Sequence, residues 1–215
     1  PYLIALSANS PYFESEETGL ASTRTKIFEG LPNTGIPERL RNYSEFQKFM
    51  RTLISANSIE SIREIWWDIR PHPGYGTVEI RICDSIPNLI DIKDLTALCQ
   101  ALVVGMSKHY DNGTQLPYLD NWILYENKWR ATRYGIDAQL IINEDGEQTP
   151  IKDEIINTIN NLSNEINDLN LGESMDRILH KVKSGHAYYK KQIEIFNKNN
   201  SLKDVIINDL ELLKE

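Results

Sequence analysis

The sequence has few of the residues that build metal clusters or covalent cross-links. Its 215 residues include only two cysteines, Cys83 and Cys99, and four scattered histidines. Neither cysteine has the spacing of metal ligands, and no H-x-x-x-H pair occurs. This pattern speaks against a metal site built on cysteine or histidine. It indicates free core thiols in a reducing compartment, from which we expect a cytoplasmic protein.

Long apolar runs and an excess of positive charge are also missing. No segment approaches the length of uninterrupted apolar sequence that spans a bilayer, and residues 2–6 lack the basic flank of a signal peptide. The 23 Lys and Arg against 31 Asp and Glu give a net charge of −8. This balance excludes a general affinity for nucleic acid or for an anionic membrane. Any anionic ligand must therefore meet a local group of arginines.

The length allows one large domain with its own core. The chain begins with Pro1 rather than methionine, from which we expect a piece of a longer polypeptide or a processed one. Residues 9–42 are rich in small and polar residues without a sustained period, which predicts a disordered segment or a long ordered loop or lid, of a length that is usually functional when ordered. Ser44 and Gln47 form a capping box that opens a predicted helix over residues 44–57.

Helical periodicity dominates the second half of the sequence. Asp91 can cap a helix whose apolar stripe we expect to cover a sheet. Residues 119–135 are predicted to be helical and residues 136–142 to form a strand. The last third predicts three or four helices. We therefore expect a single catalytic domain with a sheet and active-site portion, 1–148, and a helical portion, 149–215.

Two predicted strands, residues 65–70 and 77–83, are joined by a turn rich in proline and glycine. Apolar residues alternate with polar ones in the second strand, so we expect the apolar set to be buried and Glu79 and Arg81 to share an open face, about 7 Å apart. A carboxylate for a hard cation beside a guanidinium for a phosphate is typical of phosphoryl transfer. A solvated hairpin whose charges only pair across strands fits the same alternation, and both interpretations stay open at this point.

Five blocks of sequence occur in a fixed order along the chain. They are residues 5–11 (ALSANSP), 18–24 (TGLASTR), 67–71 (WDIRP), 76–84 (GTVEIRICD) and 126–135 (ENKWRATRYG). Together these blocks resemble the bacterial glutamate-cysteine ligase 2 family, also called the carboxylate-amine ligases. The resemblance covers nearly the whole chain, and the five ordered blocks are specific although each alone would be weak.

The resemblance implies an α+β fold with a glutamine synthetase-like antiparallel sheet backed by helices. Members resemble ligases that use ATP and Mg²⁺ to phosphorylate a carboxylate, typically that of glutamate, before an amine such as that of cysteine attacks. On this resemblance Glu79 is expected to bind the metal and Arg81 to bind the transferred phosphoryl group or the substrate carboxylate. The planar fork of an arginine suits that task, so a lysine at this position is expected to be a poor substitute.

Two further arginines are candidates for catalysis. Arg24 follows a Gly-Leu-Ala-Ser-Thr run that could fold over a nucleotide, which favours a phosphate or substrate role. For Arg70, beside Asp68 in the first predicted strand, a catalytic role and a role in orienting its neighbours fit equally well. We therefore expect Arg81, Arg24 and Arg70 to be the catalytic set.

The predicted helix over residues 119–135 carries the candidate ATP- and substrate-binding residues. Helical spacing places Arg130 and Arg133 on one face and turns Lys128 aside, so the two arginines are the first candidates for binding phosphate or carboxylate. Lys128 and Asn127 are further candidates. Trp129 is expected to be a core aromatic rather than a platform for adenine.

Family members carry an N-terminal half with further acidic metal ligands, and this sequence contains no counterpart of that half. We therefore expect the C-terminal part of a ligase, inactive until the missing half is supplied, with ATP and amino acids as substrates and a homo-oligomer as the assembly. Two alternatives stay open. One is a phosphotransferase of the related guanidino-kinase architecture, and the other is a relative that binds a nucleotide and catalyses nothing.

Overall fold

Helices make up most of the structure, a computed structural model that describes residues 1–114, 116 and 118–214. The helices are α1 (Tyr2–Ser7), α2 (Thr23–Glu29), α3 (Tyr43–Ser55), α4 (Leu89–Asp111), α5 (Asn121–Tyr134), α6 (Ile151–Asn161), α7 (Ser163–Asp168), α8 (Gly172–Ser184), α9 (Tyr188–Asn199) and α10 (Leu202–Leu212). Two 3-10 turns lie at Ile62–Glu64 and Gly135–Asp137. None of the helices in the described part of the chain is long and apolar enough to cross a membrane.

The strands are short and pair only in twos within the described residues. They are β1 (Tyr12–Phe13), β2 (Glu16–Glu17), β3 (Thr34–Gly35), β4 (Trp66–Trp67), β5 (Ile69–His72), β6 (Thr77–Ile80), β7 (Gln139–Ile141) and β8 (Gln148–Pro150). The pairs are β1 with β2, β3 with β4, β5 with β6 and β7 with β8. The β3–β4 pair is parallel, and the others are antiparallel. The expected α+β class is confirmed in this coarse sense, as helices combined with small sheets.

The chain divides into two compact units. The larger unit comprises residues 1–23 and residue 84 onward, and the smaller unit comprises residues 24–83. The expected division into portions 1–148 and 149–215 stays a prediction. The last residue of the expected helical portion, Glu215, lies outside the described residues.

The larger unit has a helical core. α1 packs on α5 and α6, and α8 packs on α4, α6 and α7. The largest fully buried side chains of this core are Ile4, Leu98, Ile123, Ile136, Ile151, Ile155 and Val182. Apolar side chains recur three or four residues apart along α6, which is why one face of that helix is buried in the unit.

The smaller unit has a core of its own, formed between α3 and the segment that leads into the hairpin. Phe46, Ile59, Ile65 and Trp67 are buried there, and the Phe49 ring packs at a tilt against Trp67 with ring centroids 5.1 Å apart. The helix predicted over residues 44–57 is therefore confirmed.

The cap of α3, however, lies two residues upstream of the predicted one. The Asn42 side chain accepts a hydrogen bond from the Glu45 amide (3.0 Å), and Glu45 Oε2 accepts one from the Arg41 amide (2.8 Å). The sequence carries two overlapping capping signals, and Asn42, whose backbone is extended, forms the one that is used. Ser44 lies inside the first turn.

The prediction of a long loop over residues 9–42 is wrong in part. This segment contains the short helix α2 and three short strands. Each element is too short to show a period in the sequence. In addition, β3 pairs with β4, which lies outside this segment.

The hairpin of β5 and β6 is confirmed, but its expected faces are wrong. Val78 and Ile69, on the apolar face, are 50% and 44% exposed, whereas Arg70, on the polar face, is only 6% exposed. Arg70 can be buried on the polar face because it satisfies backbone carbonyls and a carboxylate at once. The apolar stripe of α4 is also partly exposed, at Ile92, and that helix packs on α7 and α8.

Candidate active site

The centre of the candidate site is Glu79, which lies between two arginines in the smaller unit. In the β5–β6 register Glu79 is directly opposite Arg70, and Arg81 follows on the same face of the hairpin. Arg70 donates through Nη2 to Glu79 Oε2, and Arg81 donates through Nη1 to Oε1. Both carboxylate oxygens are therefore held by guanidinium groups.

Arg70 is an anchor of this arrangement. Its Nη1 donates to the carbonyl oxygens of Ile62 (3.0 Å), Arg63 (3.2 Å) and Ile65 (3.0 Å) at the end of the first 3-10 turn. Its buried Nε has no hydrogen-bond partner among the described residues. The side chain thus connects a turn to Glu79 and leaves little of itself accessible to a ligand.

Arg81 has a different environment, because aromatic rings support it. Its guanidinium carbon lies 4.4 Å from the centroid of the Trp66 ring and 5.8 Å from that of Phe28. These distances are typical of cation–π contacts, which hold a guanidinium without using its donors. Nη2 of Arg81 has no hydrogen-bond partner among the described residues, so this nitrogen can donate to a ligand.

Arg24 joins the same group from α2. Its Nη2 donates to the Arg81 carbonyl oxygen (2.9 Å), and its guanidinium carbon lies 5.2 Å from the centroid of the Phe28 ring. Arg24, Arg70, Glu79 and Arg81 therefore form one group, which we call the Glu79 cluster. Two guanidinium groups bind the Glu79 carboxylate and a third lies against the Arg81 backbone, so arginines are concentrated here in a protein that is acidic as a whole.

Glu79 is ionised at neutral pH. Burial works to raise the pKa of Glu79, but the hydrogen bond from Arg70 and the charges of Arg81 and Arg70 outweigh it and hold the pKa below its ordinary value. Its side chain is 38% exposed, so an ionised oxygen ligand is within reach of solvent.

These properties fit one ligand of a hard cation. In the described part of the chain no three His, Cys, Asp or Glu side chains come together as a metal site. Mg²⁺ sites of phosphoryl-transfer enzymes commonly use one or two carboxylates together with substrate phosphates. Glu79 can therefore serve as a single metal ligand of this chain.

The predicted binding residues of α5 lie in the larger unit. Lys128 is buried, whereas Arg130 and Arg133 reach the surface, as the helical spacing predicts. Asn127 is also buried and exchanges two hydrogen bonds with the backbone of Ile141 in β7, through Nδ2 (2.8 Å) and Oδ1 (2.7 Å). This side chain takes the place of a neighbouring strand, so its amide is already used.

The two surface arginines have different partners. Arg133 donates to the Gly19 carbonyl oxygen and lies 6.0 Å from the Tyr134 ring centroid. Arg130 is bound by Glu126, Gln139 and Gln148. The binding roles of Asn127, Lys128, Arg130 and Arg133 stay predictions.

One buried carboxylate was missed in the sequence. Asp84, directly after the second predicted strand, accepts hydrogen bonds from the Asn9 amide (2.9 Å), Ser10 Oγ (2.7 Å) and Ser22 Oγ (2.7 Å). It thereby holds two of the sequence blocks, 5–11 and 18–24, in one place. The available signal was the aspartate that closes the block over residues 76–84, but its partners are too distant in sequence to be paired by spacing.

Comparison with known proteins agrees with the resemblance. The model of glutamate-cysteine ligase family 2 matches residues 1–194. A protein of Frankia alni, provisionally named glutamate–cysteine ligase 2-1, is 40% identical over 211 residues, which are 98% of this chain and 55% of that protein.

Two further relatives are provisionally named glutamate–cysteine ligase 2. The protein of Thermobifida fusca is 41% identical over 96% of this chain and 51% of its own length. The protein of Bdellovibrio bacteriovorus is 35% identical over 96% of this chain and 54% of its own length. The chain thus spans about half the length of the curated relatives it matches.

Proposed function

Because the chain belongs to glutamate-cysteine ligase family 2, we propose that it forms part of an ATP-dependent ligase that joins a carboxylate to an amine. The observation that carries this proposal is the Glu79 cluster, in which an ionised carboxylate is bound by two arginines and a third arginine lies against the Arg81 backbone. Transfer of a phosphoryl group requires positioning and charge stabilisation, and this cluster offers both.

Each member of the cluster has a separate task in this proposal. Arg81 binds the transferred phosphoryl group or the substrate carboxylate, because Nη2 is unpartnered and the aromatic rings hold the guanidinium in place. Arg24 supports the backbone of Arg81 and adds positive charge beside it. Arg70 keeps Glu79 in position rather than touching the substrate, since its two terminal nitrogens are bound by the protein and its Nε is buried.

Glu79 would hold Mg²⁺ as one oxygen ligand. When bound, the ion screens the charge of the ATP phosphates. The low pKa of Glu79 keeps the carboxylate ionised across the physiological pH range, so no proton has to leave before a cation binds.

The proposed reaction has two steps, phosphorylation of the carboxylate and attack of the amine. A carboxylate oxygen of the acid attacks the γ-phosphorus of ATP, the bond to the β,γ-bridging oxygen breaks, and ADP leaves. The amine nitrogen then attacks the acyl carbon of the acyl phosphate, phosphate leaves, and the nitrogen loses a proton. Glutamate as the acid and cysteine as the amine are the substrates that the names of the relatives suggest.

We also propose that the active site is completed by protein outside this chain. Glu79 supplies only one metal ligand, and the curated relatives are about twice as long as this chain. The antiparallel β5–β6 pair would then belong to a larger, glutamine synthetase-like antiparallel sheet. A homo-oligomer in the cytoplasm is part of the same proposal.

The proposal is tested by incubating the full-length protein with ATP, Mg²⁺, glutamate and cysteine and analysing the products by mass spectrometry. The expected result is ADP, phosphate and a new amide. A phosphorylated product without an amide would instead indicate a phosphotransferase of the guanidino-kinase type. ATP binding without turnover for any pair of amino acids would indicate an inactive relative.

A further inference from the structure

The outward face of α4 carries the larger apolar side chains of that helix. The face that packs on α7 and α8 consists of small or charged residues and one leucine, namely Asp91, Asp94, Ala97, Leu98, Ala101 and Gly105. The outward face instead holds side chains that are between 40% and 80% exposed, namely Leu89, Ile92, Val103, Met106 and Tyr110. An apolar surface on a helix whose other face is already packed is typical of an interaction site.

The outward side chains follow a spacing of three and four residues in turn. Seven positions keep this spacing along the whole helix: Leu89, Ile92, Thr96, Cys99, Val103, Met106 and Tyr110. The hydroxyl of Thr96 is satisfied within the helix, since it donates to the Ile92 carbonyl oxygen (2.7 Å). These seven residues form a narrow stripe about 30 Å long, which we call the α4 seam. Such a stripe is typical of a helix that packs lengthwise against another helix.

The charges of α4 indicate which helix would fit the seam. Most charged residues of α4 already pair within the larger unit: Asp91 with Lys181, Asp94 with Arg177, and Lys108 with Glu165 and Asp168. Lys93 near the beginning of α4 and Asp111 at its end are exposed, and neither forms an ion pair among the described residues.

A second copy of α4 in the antiparallel direction complements these two charges. It brings Lys93 of each copy toward Asp111 of the other, whereas a parallel copy brings the two Lys93 side chains together. The partial charges at the helix ends favour the antiparallel direction as well. The seam is therefore complementary to itself.

We propose that the α4 seam is the interface of a symmetric dimer, in which α4 packs antiparallel on α4 of a second copy. A two-fold axis makes such an interface from one surface used twice, which is the commonest arrangement of protein dimers. Cys99 is the middle residue of the seam, so the axis passes beside it. The two Cys99 side chains then lie within about one helical turn of each other along the seam, about 5 Å.

The proposal rests on the proposed function in one respect, since a homo-oligomer is part of that function. It adds the surface, the direction and the symmetry of the contact. Neither ATP nor turnover enters its test, so the two can fail separately.

The first measurement is cross-linking of the full-length protein with a short bis-maleimide, followed by mass spectrometry of the cysteine peptides. The expected product joins Cys99 to Cys99, a link that only two molecules can form. Cys83 is the internal reference, because it is half-buried like Cys99 but lies outside α4. A link between two Cys83 residues is not expected.

The second measurement is analytical ultracentrifugation over a wide range of protein concentrations. Val103→Glu is expected to raise the dissociation constant of the dimer by about 100-fold or more, because two carboxylates would be buried without partners. Ile206→Glu is the matched control, because Ile206 is also β-branched and is 60% exposed on α10, outside the seam. Circular dichroism checks that both variants fold, and the cross-link is measured on the unaltered protein, independently of either variant.

The inference is wrong if the protein is monomeric at every concentration, or if the dimer yields no link between two Cys99 residues. It is also wrong if Val103→Glu and Ile206→Glu weaken the dimer equally. A monomer whose Cys99 resists maleimide would show that the rest of the polypeptide covers the seam, and it would overturn the inference too.

The outcomes also separate the inference from the proposed function. A dimer linked through Cys99 that forms no amide from any pair of amino acids would leave the inference standing and overturn the proposed function. Amide formation by a monomeric protein would do the reverse.

Discussion

Replacing Arg70 by methionine tests whether this side chain holds the Glu79 cluster together. The change keeps most of the length and the apolar stem of the side chain and removes the guanidinium. Three carbonyl oxygens of the first 3-10 turn lose a charged donor, and Glu79 Oε2 loses its partner. The turn and the hairpin are thereby disconnected.

The expected cost follows from the burial of each group. Removing one partner of a buried ion pair typically costs about 3 to 5 kcal/mol. The loss is smaller here because Glu79 is 38% exposed and keeps Arg81, and because the variant no longer buries an unpartnered Nε. We therefore expect Arg70→Met to lower the free energy of unfolding of the smaller unit by about 2 to 4 kcal/mol.

The assay is urea denaturation combined with amide hydrogen exchange of β5 and β6, in which the protection of both strands should fall together. Arg63→Met is the matched control, because Arg63 lies in the first 3-10 turn and its side chain is exposed. This variant should change the free energy of unfolding by less than about 0.5 kcal/mol. If the free energy of unfolding of Arg70→Met lies within about 1 kcal/mol of the wild-type value, Arg70 does not hold the Glu79 cluster together.

Three further predictions follow from single residues. The pKa of Glu79 is lowered from its ordinary value of 4.5 in the folded state, so the ion pairs of Glu79 stabilise the folded protein above pH 4.5. In urea melts the wild type should therefore be more stable than Glu79→Gln above this pH, and the difference should vanish as the pH falls through the folded-state pKa. Asp84→Ala leaves three donors without their acceptor and should cost about 3 to 5 kcal/mol by the same assay, while Ser22→Ala, which removes one donor, should cost about 1 to 3. Gly135→Ala should lower the thermal midpoint by several degrees, because φ is +53° and the added Cβ would lie 2.5 Å from Tyr189 Cε1.

The sequence predicted the elements whose signals are local. The β5–β6 hairpin and α3 depend on residues within one turn or one strand, and each is present. The helical spacing of α5 likewise placed Lys128 on a different face from Arg130 and Arg133. Such patterns are short in range, and neighbouring residues are enough to produce them.

The orientation of the hairpin could not be predicted in this way. Alternation shows that two faces differ but not which residues of each are covered, and here Arg70 on the charged face is buried whereas Ile69 and Val78 on the apolar face are exposed. What decides it is the fit of Arg70 to carbonyl oxygens five to eight residues upstream, together with the support of Arg81 by Trp66. Neither contact has a signature in the spacing of apolar residues.

The partners of Asp84 and the exposure of Trp129 are long-range facts. Asp84 meets Asn9 across 75 positions and Ser22 across 62. Trp129 lies at the surface because β7 and β8 form a cleft beside α5 instead of covering it. Only the packing of distant segments determines either one.

The most direct test of the account concerns Glu79 itself. The measurement is phosphate release by the full-length protein with ATP, Mg²⁺, glutamate and cysteine, compared between Glu79→Gln and the control Glu173→Gln, whose side chain is 92% exposed. The account predicts release that requires both amino acids and falls by about 100-fold or more in Glu79→Gln, with the control unchanged. Equal release by the two variants, at equal Mg²⁺ requirement, would contradict it.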